Sequence, residues 1–203
     1  MEYAIHLFNA GGVVMYPLVL FMLAACTILF ERIRMYRRID SEIQQLSSSI
    51  EAGRNANDWI ALEQAIKNND DALSQFVTPI VDSVYNFEGL ENRLHDVVGY
   101  MDERLKRGLN WLSMMVTMAP LLGLLGTVVG MIRSFAAVGG DIGAPTVITG
   151  GVSEALIATA TGLSVAIVAL AIHSWCTSKV NYDIAKLEQR LGFILDLYIR
   201  SQR

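Results

Sequence analysis

Three long apolar runs, Gly11 to Phe30, Leu112 to Ile132 and Val147 to Cys176, limit what this chain can fold into more than any other feature. Each comes close to the twenty or so residues that an α-helix needs to cross about 30 Å of hydrocarbon at 1.5 Å per residue. A helix on the surface of a soluble domain shows a polar stripe along one side, and the first two runs have none. Only the third contains a charge, Glu154. The 53% of hydrophobic residues is therefore read as lipid-facing surface rather than as a soluble core. The expected fold class is all-α: an integral membrane protein with three transmembrane helices, and long helices extending into a helical cytoplasmic domain.

The opening "MEYAIHLFNA" has no basic n-region and no A-x-A-like site follows the first run, so that run is expected to stay as a helix and not to be a cleaved signal. Lys and Arg set the orientation. They follow the first run in "ERIRMYRRID", precede the second in "DERLKRG" and follow the third, whereas residues 1–30 have none and the link "AAVGGDIGAPTVITGG" carries only Asp141. By the positive-inside rule the N-terminus is outside and the C-terminus is cytoplasmic. Of the 16 basic residues only Arg133 falls on the other side, where it is expected to snorkel to headgroups. The expected organisation is an outer segment 1–10, a first span 11–30, a cytoplasmic helical domain 31–110, a second span 111–137, an outer loop 138–147, a third span 148–177 and a cytoplasmic helix 178–203.

Within the cytoplasmic block, Leu90, Leu94, Val97, Val98, Met101 and Leu105 recur every three or four residues and define one apolar face. "NDWIALEQAIKNND" reads as a short helix capped by Asn55 or Asn57. In the tail, Val180, Ile184, Leu187, Leu191, Ile194 and Tyr198 alternate by four and three with no breaker after the third span. One long helix, packed on the 90–110 helix of its own or a neighbouring subunit, is expected there.

The polar content of the spans carries the functional argument. On a helical wheel the third span divides into a small, partly polar side (Ala155, Ala158, Thr159, Gly162, Ala166, Ala169, His173) and a bulky side (Leu156, Ile157, Leu163, Ile167, Val168, Leu170), with Thr161 flanking Glu154. The second span divides alike: Ala119, Gly123, Gly126, Thr127, Gly130, Ser134 and Ala137 against Met118, Leu121, Leu125, Val128 and Ile132. Small faces let helix backbones approach closely, and they also line narrow pores. A charged group at the middle of a membrane helix costs about 2.5 to 3.5 kcal/mol even on a lenient scale. No Lys or Arg lies at comparable depth to pair with Glu154, and desolvation favours the protonated form of a carboxyl. Glu154 is thus a candidate proton carrier facing a wet interior, with Thr127, Thr159 and Thr161 as hydroxyl neighbours. The simpler alternatives are an interfacial glutamate at a helix N-terminus and threonines that bond the carbonyl one turn back.

Other classes are disfavoured. There is no G-x-S-x-G, no H-E-x-x-H and no second intramembrane acid, and "GLLGTVVG" lacks the lysine of a phosphate loop. A net charge of -4 gives no footprint for nucleic acid. Cys26 and Cys176 lie toward the cytoplasmic ends of spans, so neither a disulfide nor a metal or other cofactor is expected. One carboxylate per chain cannot form a complete relay, so a proton path would have to be assembled from several copies or from a partner.

The stretches "GGVVMYPLVL" with "ER" after the run, "MAPLLGLLGTVVGMIRSF" and "SEALIATATGLSVAI" together resemble the MotA/TolQ/ExbB proton-channel family, most closely its ExbB and TolQ branch. The resemblance covers all three runs in order. It implies a homopentamer in a bacterial inner membrane, whose second and third spans line a pore around a dimeric ExbD-like or TolR-like single-span partner bearing an essential aspartate. A TonB-like protein is a further partner in the ExbB case. By position it implies pore roles for Thr127, Thr159 and Glu154; the small faces read from the wheel make Gly123, Gly126, Gly130, Ala158, Gly162 and Ala166 the expected helix-packing pore face. Proton flow would then do mechanical work on the partner, for outer-membrane transport or envelope maintenance. A non-conducting scaffold is the alternative. The chain departs from the family at Val168, where proline is common, so the resemblance leaves a kink there open.

Overall fold

The computed structural model describes residues 8, 11–56, 59–69, 72–82, 87–138 and 145–201. Among these the regular structure is helical: α1 (Met15–Ala56), α2 (Trp59–Lys67), α3 (Ala72–Asp82), α4 (Phe87–Lys106), α5 (Leu109–Val138) and α6 (Pro145–Ser201). The chain forms two compact units, one of Met1–Phe30 with Gly108–Trp175 and another of Glu31–Arg107 with Cys176–Arg203.

Local chemistry explains the element boundaries. Gly108 lies between α4 and α5 at φ +87°, a left-handed conformation that glycine adopts without a Cβ penalty and that commonly ends helices. Its carbonyl accepts the amide of Trp111 at 3.2 Å and so starts α5. Proline at the first position of α6 forgoes an amide that would have no helical partner, and the helix therefore begins at Pro145, inside the stretch read from sequence as a loop. Residues 139–144 lie outside the described ones. Asn55 does not cap α2 because α1 runs on to Ala56, and Asn57, the other candidate, is outside the described residues. Past Val168, α6 continues unbroken to Ser201.

In the first unit the core is built from all three apolar runs: Leu18 with Ala119, Val165 and Ala166, and Val14, Phe21, Met22 and Leu122 packed around them. Small residues set its contact distances. A Cβ on Gly162 would come within 2.6 Å of the Ala119 carbonyl, and one on Gly126 would come within 2.5 Å of the Ala158 Cβ. Large apolar side chains point away from this core, including Leu20, Leu23, Leu121, Leu125, Ile132, Leu156, Leu163 and Ile167. Two helical stretches, within Phe87–Ala136 and Thr149–Ser201, are long and apolar enough to cross a membrane. Only 28% and 39% of their apolar windows are buried, which is unlike the central helix of a soluble domain.

The second unit has the opposite pattern. Leu90, Leu94, Val97, Val98, Met101 and Leu105 of α4 are all buried, as are Ile43, Leu46 and Ile50 of α1 and Val180, Leu187, Leu191 and Ile194 of α6. In the last turns Leu197 takes the inward position rather than Tyr198, whose ring meets Trp59 edge-on at 5.3 Å. Lys186–Asp40 at 2.9 Å and Arg190–Glu51 at 3.6 Å link α6 to α1.

Candidate ion-pathway site

The polar positions singled out in the spans all lie in the first unit, on α5 and α6. The contact between these helices is made at the small residues. A Cβ on Gly123 would meet the Ala158 carbonyl and the Thr159 Cα at 3.1 Å, and one on Gly130 would meet Ala155 and the Gly151 carbonyl. Ala158 is fully buried and Ala166 nearly so. Gly123, Gly126, Gly130, Ala158, Gly162 and Ala166 are therefore occupied in joining α5 to α6 within one chain.

Thr159 sits at the centre of this contact. Its hydroxyl donates to the Gly123 carbonyl across the interface at 3.1 Å, which is possible only because Gly123 has no side chain in the way. The other two threonines bond within their own helices, Thr127 to the Leu124 carbonyl at 2.6 Å and Thr161 to the Ile157 carbonyl at 2.8 Å. A hydroxyl bonded in this way costs little in an apolar setting and keeps its oxygen lone pairs for a water or an ion. Thr161 and Ser164 also line an open depression of about 430 Å³ on α6, with Leu156, Ile157 and Ala160. Ser164, bonded to the Ala160 carbonyl at 2.8 Å, was not marked in the sequence; its place one turn after Thr161 was the available signal.

Glu154 differs from its expected setting. It has a cation partner: Arg133 Nη1 donates to Glu154 Oε1 at 3.2 Å. The expectation that no Lys or Arg pairs with Glu154 is corrected here, because the α5–α6 hairpin brings the end of one helix beside the start of the other. Glu154 is only partly exposed, while Arg133 is about half exposed. Gly12, at φ +70°, lies against the same carboxylate, since a Cβ there would collide with it. The structure thus brings Thr159 together with the glycine face, and Glu154 together with Arg133 and Gly12, about one helical turn nearer the start of α6.

Apolar helices joined along a small-residue seam, with one carboxylate and a hydroxyl bond across it, are the features of a membrane-helix protein. Residues 61–189 match the MotA/TolQ/ExbB proton channel family. The chain is 30% identical over 198 residues to the protein named ExbB-like 3 of Synechocystis sp., covering 94% of this chain and 93% of the relative. It is 26% identical over 186 residues to the protein named as an ExbB homolog of Methanothermobacter thermautotrophicus, covering 91% of this chain and 66% of that one. Its fold is similar to a chain of the flagellar MotAB stator complex from Bacillus subtilis, with a TM-score of 0.65, 20% identity and coverage of 94% and 80%. The chain belongs to the MotA/TolQ/ExbB proton channel family. Within it, the names of its relatives put it on the ExbB and TolQ side.

Proposed function

We propose that this chain is the stator-type subunit of a proton-driven motor in a bacterial inner membrane. Its first apolar run is a third span, its N-terminus is outside and its C-terminus is cytoplasmic, as the placement of Lys and Arg supports. Several copies, five on the family pattern, surround the membrane helices of a dimeric ExbD-like or TolR-like single-span protein. That partner carries the second carboxylate a relay needs, and proton flow does work on it, for outer-membrane transport or envelope maintenance. A TonB-like protein is a further partner in the transport case. No cofactor, metal or catalytic residue is part of this reading.

The observation that carries it is positional. The family match covers Thr127, Glu154, Thr159 and Thr161, and these polar groups lie on the two helices that are long and apolar enough to cross a membrane. In this reading Thr159 and Thr127 are pore hydroxyls, Thr161 is a polar neighbour and Glu154 is the charge near the outer mouth, tuned by Arg133. The test is proton flux into vesicles holding the chain with an ExbD-like partner. Flux is expected with the partner and not without it, and Thr159→Val and Glu154→Gln are expected to reduce it at least tenfold with the complex intact. Normal flux in both variants removes these residues from the mechanism.

A scaffold reading draws on a specific observation: Thr127 and Thr161 bond within their own helices and Glu154 is paired with Arg133, all of which are sound structural roles. A stable complex that passes no protons under any condition favours it.

A further inference from the structure

The second unit holds another group of ionisable side chains, on the seam between α1 and the end of α6, that the channel reading leaves unused. Asp183 is fully buried. Its Oδ1 accepts from Lys179 Nζ at 2.7 Å, while its Oδ2 is enclosed with no donor. An ionised carboxylate offers about four acceptor positions, and holding that charge out of water with only one of them filled is costly.

The surroundings do not supply the missing donors. From α1 the seam presents Arg32, whose guanidinium is committed to the Leu105 carbonyl of α4 at 3.3 Å, Tyr36, whose hydroxyl lies against the Cys176 thiol, and Asp40. From α6 come Cys176, Lys179 and Lys186. The charged groups acting on Asp183 are Lys179, Asp40 and Lys186. Lys186 is engaged with Asp40 at 2.9 Å. Lys179 is shared between Asp183 and the Tyr182 ring, whose centroid is 5.2 Å away.

We propose that Asp183 is a proton-binding site, a buried carboxyl that takes up and releases one proton at Oδ2 with Lys179 as its standing cation. When the proton is bound, the carboxylate charge is cancelled and Lys179 keeps the positive charge at the site. When the proton leaves, Lys179 alone holds the anion. Burial pushes the Asp183 carboxyl up from the ordinary range, against the smaller downward pull of Lys179. On the same seam the hydrogen bond from Lys186 holds Asp40 below that range. Two carboxyls driven apart by their settings are the pattern by which one holds a proton while the other stays charged. On the channel reading this is a further holding point for protons, but as a titrating carboxyl it does not depend on that reading.

The experiment is an infrared difference titration of the full chain in lipid nanodiscs, following the protonated-carboxyl band from about pH 5.5 to pH 8, above the ordinary carboxylate range. One band is expected to titrate in this window, to be lost in Asp183→Asn and to persist in Glu154→Gln. Lys179→Met is expected to move its midpoint up by about one to three pH units, the size of the pull that a nearby opposite charge exerts. That shift keeps the test decisive should Asp183→Asn fail to fold. An unchanged titration in Asp183→Asn, or an unmoved midpoint in Lys179→Met, makes Asp183 a permanently ionised buried pair and overturns the proposal. Neither readout measures flux, so absent conduction counts against the channel reading and leaves this one standing.

Discussion

One helix is built in two opposite ways along its length. Over its portion in the first unit, α6 turns Ala155, Ala158, Gly162, Ala166 and Ala169 inward and leaves Leu156, Leu163, Ile167 and Leu170 outside. Over its portion in the second unit, the continuing stripe turns Val180, Leu187, Leu191 and Ile194 inward and leaves Asn181, Glu188, Gln189 and Asp196 outside. Water forces large apolar groups into the interior. Lipid exerts no such force, so contact there is won by close backbone approach over small residues. The inversion shows that the two units are built for two different solvents.

The largest expected effect that sharpens this comparison is a pair of identical truncations. Leu187 is 1% exposed and Leu163 is 49% exposed. Leu187→Ala leaves a cavity and is expected to cost about 2 to 5 kcal/mol, whereas Leu163→Ala is expected to stay within about 0.5 kcal/mol. Chemical unfolding of the purified chain in detergent measures both, and equal costs break the comparison.

Glycines give the next largest contrast. Gly162→Val drives a side chain into the Ala119 carbonyl and the Gly123 backbone, and overpacking of this kind costs about 1 to 3 kcal/mol. A Cβ on Gly192 in the second unit meets nothing within 4 Å, so Gly192→Ala is expected to stabilise the helix by about 0.5 to 1 kcal/mol. Thermal melts that rank the two variants the other way contradict the account.

Smaller effects attach to the ion pairs. A double-mutant cycle on Arg133 and Glu154 is expected to show a coupling no greater than about 1 kcal/mol, discounted because Arg133 is half exposed. For Asp40, whose carboxyl is held below its ordinary value by Lys186, the stabilisation is present above the unfolded pKa and is lost as pH falls through the lower folded one. Lys186→Met is therefore expected to weaken the second unit by about 0.2 to 1 kcal/mol at neutral pH and to make no difference in strong acid. Urea midpoints for both proteins across pH check the sign.

Much of this was legible in the residues. A wheel at 100° per residue separates the small and bulky sides of both apolar helices, and those sides are the inward and outward ones for Ala158 and Gly162 against Leu163 and Ile167. The apolar face of α4 could be read residue by residue because water enforces it. What the wheel could not supply was contact across helices. Arg133 and Glu154 stand 21 positions apart, and their meeting depends on the hairpin that brings the two helix ends together. Nor could periodicity alone decide whether small residues line a pore or join two helices; Gly123 and Thr159 show the second use within one chain. Asp183 falls on the inward stripe of α6 between Val180 and Leu187, so a polar residue at an apolar register position was the signal available for the buried carboxyl.

The most direct test of the two-solvent account is spin-label accessibility in reconstituted vesicles, with labels placed singly at Leu163, Ile167 and Leu170 and at Asn181, Ala185 and Glu188. Labels in the first set are expected to be relaxed by oxygen and shielded from a water-soluble nickel complex, and those in the second set to be relaxed by nickel. Nickel access at both sets would mean that the exposed leucines face water, and the membrane assignment of the first unit would fall.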